Sequence, residues 1–129
     1  MKRFSLTRMA AGFAIGGAVL LSGCASTHQT LYYWGDYQHQ VYGHFAKEKS
    51  PEEQIAKLEA GLEKARASGK RVPPGYNAHL GILFALSEHA DQMLKYFEAE
   101  KKLYPESTAY IDFLLRKFEN DKKGAGNAI

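Results

Sequence analysis

Between Pro74 and Ser107 the chain reads PGYNAHLGILFALSEHADQMLKYFEAEKKLYPES, a window of 34 residues with turn residues at both ends and in its middle. This window limits the fold more than any other. Leu80, Phe84, Met93 and Phe97 fall at helical spacing, and no part of it alternates with the period of a strand. Two antiparallel helices are predicted, with His89 in the turn between them and Pro105 stopping the second. Gly81 has no side chain, so the second helix approaches closely there, and Phe84 and Phe97 fill the space between the two.

Length and punctuation together resemble the tetratricopeptide unit, a 34-residue helical hairpin. Leu80-Gly81 stand at its Leu-Gly positions, Phe84 at its Tyr, Met93 at its first Ala, Phe97 at its Phe and Pro105 at its closing Pro. Asn77 replaces the Trp and Glu100 the later Ala. The residues taken alone also suit a plain helical hairpin. One hairpin cannot bury both its faces, so neighbours must stack on it.

The flanking sequence offers them. Ser50-Pro51-Glu52-Glu53 is a capping box with proline in the first turn. Ile55, Leu58, Leu62 and Ala65 follow as one apolar stripe, and Gly69 ends it. Upstream, Tyr33, Trp34, Tyr37, Val41 and Phe45 predict a first helix. Downstream, Ser107 is placed to cap a helix carrying Tyr110, Ile111, Leu114, Leu115 and Phe118. The expected fold is all-α, a short tetratricopeptide-like stack of about five helices over residues 31–119. Residues 120–129 lack apolar periodicity and are expected to fray.

The N-terminus has another character. Lys2, Arg3 and Arg8 precede thirteen apolar or small residues, Met9 to Leu21, and no acidic residue occurs before Asp36. A bilayer span needs about 20 apolar residues, so this stretch suits the core of a secretory signal peptide. It ends in Leu21-Ser22-Gly23-Cys24, which resembles the lipobox of bacterial lipoproteins. That resemblance implies cleavage after residue 23, a diacylglyceryl group on the Cys24 sulfur, acylation of the new terminus and a tether over residues 24–30. Two or three chains, at about 0.8 kcal/mol per buried methylene, hold a protein on a membrane. Ala25 stands where an Asp would resemble the inner-membrane retention signal, so the expected destination is the outer membrane, on its periplasmic face. Cys24 is the only cysteine, which excludes an internal disulfide.

The formal net charge of +3 comes from the three basic residues of the leader. Residues 24–129 then hold 14 basic and 14 acidic residues, a balance that gives no electrostatic case for nucleic acid.

The region from Leu31 to Leu115 is similar to a group of small bacterial lipoproteins, DUF4810. The likeness rests on YYWGDY, Tyr42, PPGYNAHLG, FEAEKKLYPES and DFLL. The resemblance implies a shared envelope assembly, because members tend to be encoded beside a lipoprotein similar to the curli-secretion channel and another small lipoprotein. It carries over no catalytic residue.

Chemistry is sparse along the chain. No G-x-S-x-G or H-E-x-x-H occurs. His39 and His44 are five residues apart and do not share a helical face, and Ser50 and Ser107 have capping roles. His28 falls in the tether, and His79 and His89 in the hairpin's first helix and its turn. Glu98, Glu100, Lys101 and Lys102 read as a solvated face with local ion pairs. No metal, small-molecule substrate or cofactor is expected beyond the acyl chains on Cys24. Binding is the stronger expectation. The groove-lining positions of a tetratricopeptide unit map onto Gly75, Ala78, Ile82, Ala85 and Leu86, none of them charged, which suits an apolar partner segment. The same residues could instead be core covered by the N-terminal helix. Trp34 and Tyr37 are expected in the core, and Tyr32 and Tyr42 on the surface as further partner contacts. The expected function is an outer-membrane lipoprotein acting as a protein-binding scaffold in an envelope assembly or secretion apparatus. The alternatives are a small cell-wall or lipid-modifying enzyme and a purely structural, self-associating lipoprotein.

Overall fold

Prolines and turn residues cut the chain where the pattern predicts, and the computed structural model, which describes residues 30–126, contains five α-helices among them. They are α1 (Tyr37–Phe45), α2 (Pro51–Ala67), α3 (Tyr76–Leu86), α4 (Ala90–Leu103) and α5 (Thr108–Gly126), with a 3-10 turn at Pro105–Ser107 before the last. The fold is all-α. Among the described residues β-pairing is limited to one isolated parallel bridge between Tyr32 and Arg71. All five helices lie in one unit, Leu31–Ile129. The leader, Cys24 and the tether up to residue 29 lie outside the described residues.

The start of α1 differs from expectation. A turn at Gly35-Asp36, in which the Tyr37 N–H donates to the Trp34 carbonyl at 3.0 Å, keeps Tyr33 and Trp34 off the helix. They sit instead in an extended lead-in, where the Tyr33 N–H donates to the Arg71 carbonyl at 2.8 Å. The capping box of α2 forms on the side-chain half: Ser50 Oγ accepts from the Glu53 N–H at 3.2 Å. From there Ile55, Leu58 and Ala65 are buried and Leu62 packs partly buried beside them.

Helix α3 is the centre of the molecule. Eight of its eleven residues are buried, as befits a helix that is apolar all round. It feeds two clusters. Tyr76, Leu80, Leu83 and Phe84 meet Ile55, Leu58 and Ala65 of α2, Val72, and Tyr96 of α4. On its other side Ala78 joins Phe97 of α4 and Ile111 and Leu114 of α5. At Gly81 the predicted close approach is present: any Cβ there would overlap the Phe97 ring. Phe84 and Tyr96 stack with ring centroids 5.4 Å apart, so aromatic contact holds the hairpin along its length.

The last helix outruns its apolar stripe. After Phe118 it continues to Gly126 through residues 119–124, which are all exposed. The segment expected to fray is therefore helical as far as Gly126; it has no breaker before Gly124 and no apolar face to pack. No helix among the described residues is long and apolar enough to cross a membrane.

Candidate functional site

The two ends of α3 present different chemistry. At its N-terminus Gly75 takes the left-handed conformation, φ +89°, and has no side chain with which to cap the helix. The cap comes from α4. Glu100, fully buried, accepts from the Gly75 N–H at 2.6 Å, the Ala78 N–H at 3.4 Å and Ser107 Oγ at 3.3 Å. A carboxylate suits this place because the first N–H groups of a helix are unsatisfied and the helix dipole is positive there.

This corrects two expectations. Glu100 is not on a solvated face, and Ser107 donates to it from the 3-10 turn rather than capping α5. The signal was present in the sequence: Phe97, Glu100 and Tyr104 share one stripe at three- and four-residue spacing, and the other two are buried. Around the same end the Tyr104 hydroxyl donates to the Val72 carbonyl, and the Tyr76 hydroxyl to the Leu58 carbonyl at 2.8 Å. This end is an anion site filled by the protein's own carboxylate.

The C-terminal end of α3 is open and apolar. Ala85, Ala90, Met93, Leu94, Leu115 and Phe118 line a groove of about 650 Å³ between the α3–α4 turn and the distal half of α5. Leu94 is 48% exposed, and Leu86, beside Ala85, is 51% exposed. Glu88, Glu119 and Asp121 edge the groove against the single cation Lys122.

The expected contact residues divide between these regions. Ala78 is only 3% exposed and leaves no surface for a partner; the helix that covers it is α5, not the N-terminal helix. Ile82 is half-buried against the same cluster. Gly75 is taken by Glu100. Ala85 and Leu86 remain available at the open end. Tyr42 is exposed on α1, as expected. Tyr32 is half-buried, its ring edge-on to Trp34 at 6.4 Å and to Tyr104 at 6.3 Å. Trp34, expected in the core, is 40% exposed because the lead-in rather than a helix carries it. Tyr37 is half-buried over Tyr76, ring centroids 4.9 Å apart, and burial foremost pushes its hydroxyl up to about 12.

Of the described histidines, His79 is the enclosed one. It lies edge-on to Tyr37 and, with ring centroids 5.2 Å apart, to His44, and its Nε2 has no partner. Burial, with His44 adding to it, lowers its pKa to about 4, so it is neutral at pH 7. His39 pairs with Asp36 at 3.5 Å on the exposed side of α1. Among the described residues no group of three or more His, Cys, Asp or Glu is placed to hold a metal ion.

The family model described as a domain of unknown function, DUF4810, matches residues 31–114, and the chain belongs to that family. No curated protein and no solved structure matches it.

Proposed function

We propose that this member of the DUF4810 family is an outer-membrane lipoprotein, held at the periplasmic face by acyl chains on Cys24, whose helical stack is a docking module for another envelope protein. The stack is read as tetratricopeptide-like, and its mechanism is positional: the lipid fixes the place and the open end of α3 receives a partner segment. One observation carries the docking reading. Leu94, a large apolar side chain about half exposed, lines a groove together with Met93, Leu115 and Phe118, and Leu86, also about half exposed, follows the lining residue Ala85 in sequence. Soluble proteins seldom leave clustered apolar surface uncovered unless something uses it. Three acids against one lysine along its edge favour a partner whose apolar face is flanked by basic residues. An amphipathic helix of that composition fits the groove's apolar lining.

The anchor reading draws on the leader: basic residues, a short apolar core, and Leu21-Ser22-Gly23-Cys24. An envelope lipoprotein similar to the curli-secretion channel is the first partner to test, on the family resemblance. A photo-crosslinking side chain at Leu94 should give an adduct of one defined mass in intact cells, and the same side chain at Lys64 should not. Equal labelling at both positions, or none at Leu94, defeats the docking reading. Labelled palmitate should enter the wild-type protein and not Cys24→Ser; incorporation into neither defeats the anchor.

A further inference from the structure

A second groove lies between α2 and α4 and shares no lining residue with the docking surface. Its volume is about 620 Å³, within the range of small-ligand sites. Asn77 and Val72 lie in its lining. Asn77 stands where the repeat pattern carries Trp, so a short polar side chain occupies the place of a large ring. Ala60, Ala65 and Ala99 keep the neighbouring walls short as well. The missing ring volume and the small walls account for the groove.

Its polar groups are unevenly satisfied. Asn77 is 3% exposed, and its Nδ2 has no hydrogen-bond partner among the described residues. A buried donor without a partner costs free energy, and native proteins keep few of them. The groove's carboxylates are already engaged: Glu63 pairs with Arg66 at 2.6 Å, and Glu59 accepts from the Tyr96 hydroxyl at 2.7 Å. Lys95 sits over the Tyr96 ring, 5.2 Å from its centroid. Lys70 and Arg71, also in the lining, pair with no carboxylate among the described residues. The site thus offers one buried amide donor, short aliphatic walls and free positive charge.

We propose that this groove binds a carboxylate carried on a short aliphatic body. One carboxylate oxygen accepts from the Asn77 amide, the charge faces Lys70, Arg71 and Lys95, and the aliphatic part lies against the alanines and Val72. Two sources supply that chemistry, a free branched short-chain acid and the C-terminal residue of a polypeptide.

The test uses the full-length chain in dodecyl maltoside micelles and follows the Asn77 side-chain amide by ¹⁵N–¹H spectroscopy. The probes are 4-methylpentanoate, N-acetyl-Ala-Leu, and the neutral amide of each. At least one acid should give a saturable shift, with its amide binding at least about tenfold more weakly. Saturation by the small acid alone assigns a free acid as ligand; saturation by the dipeptide alone assigns a polypeptide terminus. Asn77→Trp should fill the groove and abolish the response, read on the Arg71 and Val72 backbone amides. If that variant does not fold, Asn77→Leu, which keeps the branched shape and removes the amide, should bind at least about tenfold more weakly while melting no lower than wild type. Reversing Lys70 and Arg71 to Glu should weaken binding by about tenfold or more. No saturable shift with either acid, equal response to acid and amide, or full binding by Asn77→Leu overturns the proposal.

Discussion

The two ends of α3 are built from opposite materials. At the N-terminal end, α4, the α2–α3 loop and the turn before α5 converge on a helix start that Gly75 leaves without a side chain. Polar groups close it: Glu100 on two backbone N–H groups, Tyr104 on Val72, Tyr76 on Leu58. At the C-terminal end the chain turns once, from α3 into α4, and Leu86 and Leu94 remain about half exposed. Converging backbone must have its hydrogen bonds satisfied, whereas an end with one connection can leave apolar surface uncovered. Stability should therefore concentrate at the first end and recognition at the second.

The strongest way to break this comparison is to remove the internal cap. Glu100→Ala leaves the Gly75 and Ala78 N–H groups and the Ser107 hydroxyl without their acceptor, and should cost about 3 kcal/mol in denaturant unfolding. Glu100→Gln retains one acceptor oxygen and should cost less. A loss below about 1 kcal/mol for the alanine variant would show that the closed end is not where stability lies.

Acid should act on the same half of the helix. His79 has a folded pKa near 4, below its ordinary value of 6.5, so the unfolded chain binds its proton more readily. The stability this contributes is complete above pH 6.5 and is lost as pH falls toward 4. The expected loss is about 2 kcal/mol, after allowing for partial solvent screening. His79→Leu should flatten that part of the pH–stability curve; an unchanged slope would place the acid sensitivity elsewhere. Exchange of α1 and α3 amides should rise first, because Tyr37 and His44 of α1 pack against His79.

What the sequence reveals and what it hides follow the same division. The Ser50 cap, the stripe of α2, the turn at His89 and the need for glycine at position 81 are local or depend on one helix pair, so spacing exposes them. Glu100 is harder to see because its burial depends on a bare helix start 25 residues away in sequence. Periodicity also names a buried face without naming the neighbour: Ala78 belongs to the core, and only packing reveals that α5 covers it. Aromatic spacing places Trp34 and Tyr33 on a helix, but the turn at Gly35-Asp36 holds them off it. At the open end Ala85 and Leu86 were legible as apolar contact residues. Leu94, Leu115 and Phe118 join them only through the third dimension.

A smaller effect comes from Tyr104→Phe, which removes the hydroxyl bonded to the Val72 carbonyl and keeps the ring against Tyr32. The expected loss is about 1 kcal/mol by the same unfolding measurement, since the buried carbonyl loses its partner. A neutral result would show that the carbonyl finds another donor, and that the closed end tolerates rearrangement.

The smallest effect on stability should be the most informative about function. Leu86→Asp with Leu94→Asp places two charges on side chains already about half in water, so folding should change by less than about 0.5 kcal/mol. The charge at position 94 lies in the groove lining, where an apolar segment could seat only by burying it, at a cost in free energy. Crosslinking from Leu115, which lines the same groove and is unaltered in this variant, should then fall at least about tenfold relative to wild type. Loss of crosslinking with unchanged unfolding would separate the two ends of α3 into a fastened half and a receiving half. A large loss of stability would instead make the open end part of the core, and the contrast between the ends would disappear.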